Sequence, residues 1–344
     1  LFFITDNWEK SSLQRYSIQR ETLELILTDD SIIEDIDVDS KQGLIIFNMS
    51  TKDDPSVLKS YDYVYKELKI IQESNKDWLK ERNLAPTEEI RYQGYNKKEI
   101  QGWIVKPPGF DENKKYPLIL NIHGGPHAIW SPHERSMWFE FQYSASRGYV
   151  VFYCNPLGSS GRGYNFRYIV KNWGKEPEQD ILLGVDKTVE KGYVNDKQLY
   201  ITGGSYGGYM TAWIIGNDTR FKAAVPQRGV YNNVSFWGIT DVTQFIRDEI
   251  GAFPWEDLNL MWELSPIAYV NNVITPTRII HSENDFRVPI AQAEEYFASL
   301  IKNNVKAELV RYPEEGHELS RSGKPKHMKD RLLKIIEWFE LHKE

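Results

Sequence analysis

Ser205 is the residue around which chemistry can be built. It stands in Gly203-Gly204-Ser205-Tyr206-Gly207-Gly208, directly after the apolar run Leu199 to Ile201 and before the helix-forming stretch Tyr209 to Ile215. Strand, glycine-flanked turn and helix, in that order, are the parts of a nucleophile elbow. Its strained turn lifts a serine hydroxyl above the end of a sheet, and the glycines let strand and helix approach without Cβ clashes. The same glycine-serine pattern also fits an ordinary tight turn, and the flanking strand and helix favour the elbow.

A serine used in this way needs a base, and an acid to orient the base, each in a loop just past a strand. The strand-like run Thr277-Arg278-Ile279-Ile280-His281 leads into the polar turn Ser282-Glu283-Asn284-Asp285, and the run Ala307 to Tyr312 leads into Pro313-Glu314-Glu315-Gly316-His317. The amphipathic stretch Ile290 to Ile301 lies between them, so acid and base fall at the ends of neighbouring strands joined by a helix. Taken singly, Asp285 reads as a turn former and His317 as a surface histidine, and Glu283 competes locally for the role of acid. The conjunction of three residue types in one order, each after its own strand, selects Ser205, Asp285 and His317 as catalytic. His317 would take the serine proton, Asp285 would fix its tautomer, and Ser205 would attack a carbonyl to form an acyl-enzyme.

The oxyanion formed in that attack requires two backbone amides, one after the nucleophile and one from an earlier glycine loop. Tyr206 supplies the first. The strand-like Pro117 to Ile122 runs into His123-Gly124-Gly125-Pro126-His127, and the Gly125 amide is the choice for the second. His123, His127 and His133 could be read as a metal site, but no carboxylate or cysteine joins them at ligand-like spacing, so neither a metal nor any other cofactor is expected.

Together, HGGPH at 123 to 127, NPLGSSGRGY at 155 to 164, GGSYGGYM at 203 to 210, Asp285-Phe286-Arg287-Val288-Pro289 and Gly316-His317 resemble the catalytic domain of the prolyl oligopeptidase family, nearest its acylaminoacyl peptidase and dipeptidyl aminopeptidase-like branch. The resemblance runs from about Glu88 to the C-terminus. It implies a serine peptidase acting on short peptides, with an α/β-hydrolase domain behind a β-propeller. It also implies substrate-binding roles: Arg287 for a substrate backbone carbonyl, and Val230, Tyr231, Phe236 and Trp237 for the pocket of the side chain before the scissile bond. Read without it, Arg287 is a surface arginine pairing with Glu283 or Asp285, and the aromatics are core.

Elements that could hold these residues follow from Tyr116 onward, where apolar strands alternate with helical stretches: strands at 117–122, 149–154, 198–202, 222–226, 277–281 and 307–312, with helices near 134–147, 178–191, 206–216 and 328–342. Such alternation predicts a mostly parallel sheet flanked by helices. A hairpin, Glu89 to Tyr95 and Glu99 to Val105, adds antiparallel strands. The chain has 344 residues, 41% hydrophobic and 26% charged, with net charge −7, which supports a sizeable core and gives no basic patch for nucleic acid. No apolar run reaches the roughly 20 residues of a membrane span. The single cysteine, Cys154, allows no internal disulfide and reads as a buried thiol.

Residues 1–75 differ in kind. They hold short strands at Leu1 to Thr5, Leu13 to Ile18, Glu24 to Leu27, Ile33 to Asp37, Leu44 to Asn48, Ser60 to Val64 and Leu68 to Ile71, with a linker helix only near Asn75 to Asn83. Leu1-Phe2-Phe3-Ile4 echoes Leu44-Ile45-Ile46-Phe47, and Gln14-Arg15-Tyr16-Ser17 echoes Lys59-Ser60-Tyr61-Asp62, an offset that suits four-stranded propeller blades. The expected fold is therefore an α/β-hydrolase domain over 76–344, its first residues 76–87 a linker, preceded by an incomplete β-propeller remnant of one to two blades over 1–75. A start in mid-strand and an open strand edge predict either a piece of a longer chain or pairing with a second copy or with the rest of the propeller. Cytoplasmic localisation is the default expectation. Two other functions fit the same residues: a carboxylesterase with the same triad, and a catalytically silent hydrolase fold kept as a binding module.

Overall fold

The computed structural model describes residues 1–343. Its centre is an eight-stranded sheet in the order β15-β14-β13-β12-β10-β11-β9-β8. The strands are β8 (Thr87–Gln93), β9 (Glu99–Val105), β10 (Tyr116–Ile122), β11 (Val150–Asn155), β12 (Val194–Gly204), β13 (Ala223–Gln227), β14 (Thr277–Ser282) and β15 (Ala307–Tyr312). β10 to β15 pair in parallel, and the hairpin β8-β9 adds the antiparallel edge. Parallel pairing forces long crossovers, and the apolar runs of β11, β13 and β14 are buried on both faces because helices cover both.

The helices are α1 (Lys76–Lys80), α2 (Arg135–Ser146), α3 (Tyr164–Arg167), α4 (Lys175–Glu190), α5 (Tyr206–Asn217), α6 (Asn233–Phe236), α7 (Thr243–Ile250), α8 (Leu258–Glu263), α9 (Ala291–Lys302), α10 (Leu319–Ser322) and α11 (Pro325–Glu340), with a 3₁₀ turn at Pro266–Asn272. One face of the sheet packs the large cluster that includes Phe152, Trp173, Tyr209, Trp213 and Tyr296. The other packs Trp338 and Phe339 of α11 on Tyr149 and Tyr200, and Phe141 of α2 on Tyr153. Cys154 is a free, buried thiol in the first of these clusters, and burial pushes its pKa up to about 12.

Upstream lie two antiparallel meanders. β1 (Phe2–Asn7), β2 (Lys10–Ser17) and β3 (Thr22–Thr28) form three strands, and β4 (Ile32–Asp39), β5 (Leu44–Ser50), β6 (Val57–Asp62) and β7 (Glu67–Gln72) form four. The echoed segments fall on β1 and β5 and on β2 and β6, so β1-β2-β3 stands in the first sheet as β5-β6-β7 stands in the second. Their shared core is small, built on Leu13, Ile33, Ile45, Phe47 and Met49. Among the described residues no helix is long and apolar enough to cross a membrane.

Candidate active site

Ser205 joins β12 to α5 with φ 61° and ψ −120°, a left-handed backbone that a non-glycine residue holds only under constraint. The constraint is visible in the glycines around it. A Cβ on Gly207 would lie 2.0 Å from the Ile122 carbonyl oxygen, and one on Gly208 would lie 2.3 Å from that of Gln227. The first turn of α5 therefore sits in backbone contact with the ends of β10 and β13. The Ser205 N–H donates to the Gln227 carbonyl at 2.9 Å, and the Arg228 N–H donates to the Ile280 carbonyl at 2.9 Å, so strand ends are tied in sequence from β12 to β14.

The acid and base turns are joined in the same way. Glu283 N–H donates to the Tyr312 carbonyl at 3.0 Å, and Asn284 N–H donates to the Glu315 carbonyl at 2.9 Å. Asp285 is buried; one carboxylate oxygen accepts the Val288 N–H at 2.8 Å and the other meets His317 Nδ1 at 2.7 Å. A carboxylate on Nδ1 holds the proton there and leaves Nε2 as the basic nitrogen. Glu283, the local rival, instead accepts a hydrogen bond from Arg311 at 3.0 Å at the surface. No hydrogen bond engages the Ser205 hydroxyl among the described residues, and a nucleophile-to-base contact often tightens only around substrate.

Burial lowers the His317 pKa below its ordinary 6.5; the Asp285 hydrogen bond opposes this and the nearby Arg228 charge adds to it. A second imidazole, His281, is fully buried beside Asp285, donates to the Val288 carbonyl at 2.7 Å, and is pulled down to about 4 by burial. It braces the acid turn as a neutral ring.

Gly124 and Gly125 form the opposite wall. A Cβ on Gly124 would come within 3.4 Å of Ser205 Cβ and 4.0 Å of its Oγ, so this loop packs against the nucleophile itself. Gly125 has φ +117°, a conformation that crowds any side chain onto the His127 amide, and it lines the same small cavity as Ser205. Tyr206 opens α5, where its N–H belongs to the first turn and has no carbonyl partner within the helix. Its hydroxyl donates to the Trp173 carbonyl at 2.6 Å, fixing the helix start. The three histidines diverge: His123 meets the Ser159 hydroxyl, His127 meets Glu249 at 2.8 Å and the Gly158 carbonyl at 2.8 Å, and His133 faces Asp30 at 3.3 Å. No cluster able to hold a metal ion occurs among the described residues.

The residues carried over from the family pattern are less uniform. Arg287 is half exposed and donates to Asp241 at 2.6 Å, a partner other than Glu283 or Asp285. Val230, Tyr231 and Phe236 belong to the main core, with Tyr231 stacked on Tyr296 at 4.6 Å. Trp237 is partly exposed and meets Trp255 edge-on at 4.8 Å.

Sequence reasoning missed Arg228, Glu140 and Arg331. Arg331 bridges Glu140 at 2.5 Å and the Gln227 side chain at 2.6 Å, Glu140 also accepts from Asn121 at 2.8 Å, and all are buried. Arg228 stands as a single arginine after the apolar run of β13, with no sequence pattern to mark it.

Comparison with known proteins identifies the family. The peptidase YuxL of Bacillus subtilis, itself uncharacterised, is 39% identical over 300 residues, covering 86% of this chain and 45% of that protein. Dipeptidyl-peptidase 5 of Schizosaccharomyces pombe is 31% identical over 325 residues, covering 92% of this chain and 46% of its own. The chain thus spans about half the length of the curated relatives it matches. Among solved structures, an acylaminoacyl peptidase of Pyrococcus horikoshii superposes with TM-score 0.89 at 26% identity, covering 99% of this chain and 54% of that one. The sequence profile of the prolyl oligopeptidase family matches residues 135–343, and the chain belongs to that family.

Proposed function

We propose that the chain is the catalytic part of a serine peptidase that hydrolyses short peptides, of acylaminoacyl or dipeptidyl type, through Ser205, His317 and Asp285. The observation that carries this reading is the 2.7 Å contact between His317 and a buried Asp285, in turns at the same rim of the parallel sheet as the one that holds a strained Ser205. Ser205 Oγ adds to the scissile carbonyl as His317 Nε2 accepts its proton, and the negative oxygen falls to the amides of Tyr206 and Gly125. The imidazolium then returns the proton to the leaving nitrogen, the C–N bond breaks, and water releases the acyl group by the same steps in reverse order. Arg287 would bind a substrate carbonyl on release from Asp241, and Val230, Tyr231, Phe236 and Trp237 would shape the pocket before the scissile bond.

The two antiparallel meanders, whose echoed strands occupy equivalent positions, support reading 1–75 as one to two blades of a propeller that narrows access to the site. A cytoplasmic location remains part of this reading.

The test is a fluorophosphonate label on Ser205 together with turnover of an acyl-amino-acid anilide, a dipeptidyl anilide and a short-chain nitrophenyl ester. Labelling with anilide turnover is expected. Ester turnover alone would make it a carboxylesterase, and an unlabelled folded protein would make it a silent binding module.

A further inference from the structure

The cavity that contains Ser205 runs behind the elbow, between the ends of β10 and β13 and the helices α2, α10 and α11, and has a volume of about 120 Å³. Gly124, Gly125 and Ser205 line it together with Arg228, Arg321 and Arg331. Two of these arginines already have counter-charges. Arg331 is paired with Glu140, and Arg321 with Glu318. Arg228 has none: it is 8% exposed, its Nη1 donates to the Ser320 hydroxyl at 2.9 Å, its Nε has no partner, and no carboxylate lies within ion-pair distance among the described residues. Burial and the charges of Arg321 and Arg331 draw its pKa down to about 10, which leaves it a cation at neutral pH.

An uncompensated buried charge is costly, and the sequence makes particular room for this one. Arg228 holds φ 41°, an unusual backbone for a non-glycine residue. A Cβ on Gly204 would lie 2.8 Å from its Nη2 and 2.9 Å from its Cζ, so the residue before the nucleophile is glycine because the guanidinium occupies that space.

We propose that Arg228 forms a carboxylate subsite beside Ser205 that receives the α-carboxylate of the amino acid leaving the scissile bond, so that the preferred substrates carry a single residue beyond it. This rests on the peptidase reading above. The cavity has room for the centres of about four waters at roughly 30 Å³ each, enough to seat one small residue. A guanidinium gives a carboxylate charge-assisted hydrogen bonds, and with Nη1 held by Ser320 and Nε enclosed by protein, Nη2 is the nitrogen left to donate. Glu140 does not oppose the ligand, because both of its oxygens are engaged by Arg331 and Asn121. In the step itself the proton passes from His317 to the leaving nitrogen, and the free amino acid departs with its carboxylate on Arg228.

The experiment uses the full natural chain and two matched substrates, an N-acetyl dipeptide with a free C-terminal alanine and its C-terminal amide, with fluorophosphonate labelling of Ser205 as the separate report on the peptidase reading. The acid is expected to exceed the amide at least tenfold in kcat/KM; Arg228→Gln should bring the ratio close to one, and Arg228→Lys should restore it only in part. In the unsubstituted protein, alanine should inhibit competitively and alaninamide should not, a readout that does not depend on any variant folding. Equal turnover of acid and amide, or equal inhibition, overturns the subsite while labelling leaves the peptidase intact. Should neither peptide be cleaved, calorimetric titration with alanine decides: saturable binding lost in Arg228→Gln supports the subsite, and no binding overturns it.

Discussion

At the residue scale the assignment turns on how one imidazole is held. Because Asp285 occupies Nδ1 of His317, Ser205→Ala and His317→Ala should each lower kcat by roughly 10⁵ to 10⁶-fold, and the double variant should be little worse than either, since groups that act as a unit are non-additive. Thermal midpoints within a few degrees of the unsubstituted protein would establish that the loss is chemical; a double variant far worse than both singles would count against a shared mechanism. The pH dependence has a definite sign. The base works as the neutral ring, burial favours that form more strongly than Asp285 opposes it, and Arg228 acts in the same direction as burial. Activity is therefore lost as pH falls through a value below 6.5, and an acid limb in kcat/KM centred above 6.5 would contradict the placement of His317. The turns that carry these three residues were legible because each follows its own strand. Arg228 was not, since a single arginine after an apolar strand carries no pattern until the space at Gly204 is known.

The elements explain why those turns coincide. Parallel strands with helical crossovers put every strand-to-helix turn at one rim of the sheet, and the backbone bonds from Ser205 to Gln227 and from Arg228 to Ile280 bring neighbouring ends into line. The strands and the longer helices could be read from apolar runs of contrasting period. The segment 233–272 could not: it folds as α6, α7, α8 and a 3₁₀ turn, pieces of eight residues or fewer that are too short to display a helical stripe. The glycine requirement in the elbow is testable at this scale. Gly207→Ala would place a methyl 2.0 Å from a backbone oxygen that no rotamer change can move, whereas a Cβ on Gly238 meets nothing within 4 Å. Gly207→Ala should cost about 3 kcal/mol or more in denaturant unfolding and Gly238→Ala less than about 0.5 kcal/mol. Comparable losses for the two would mean that α5 does not press on β10 as described.

Across the whole molecule, the shift near residues 75–90 from short strands to long alternation was readable, but the way the two parts grip each other was not. The contacts are individual and patternless: the Ser50 hydroxyl donates to the His133 carbonyl at 2.6 Å, Trp138 Nε1 donates to the Lys52 carbonyl at 2.8 Å, Gln101 donates to Glu9 at 2.8 Å, and the Arg162 guanidinium lies 4.1 Å from the centre of the Trp8 ring. Stability should follow the same division. β11, β13 and β14 are buried throughout, whereas β7 is exposed along its length and presents Leu68, Ile70 and Ile71 to solvent. Regions with few buried contacts open at low free energy without global unfolding. Amide exchange is therefore expected to be slowest in β10 to β14 and faster by orders of magnitude in β3 and β7. Trp8→Ala removes two cation–π contacts, with Arg162 and Arg91, of about 0.5 to 2 kcal/mol each, and it should speed exchange in β1 to β3 while leaving β10 and β12 unchanged. If the substitution accelerated both parts equally, the meanders and the large sheet would unfold as one cooperative unit, and the site's rigidity would depend on strands far from Ser205.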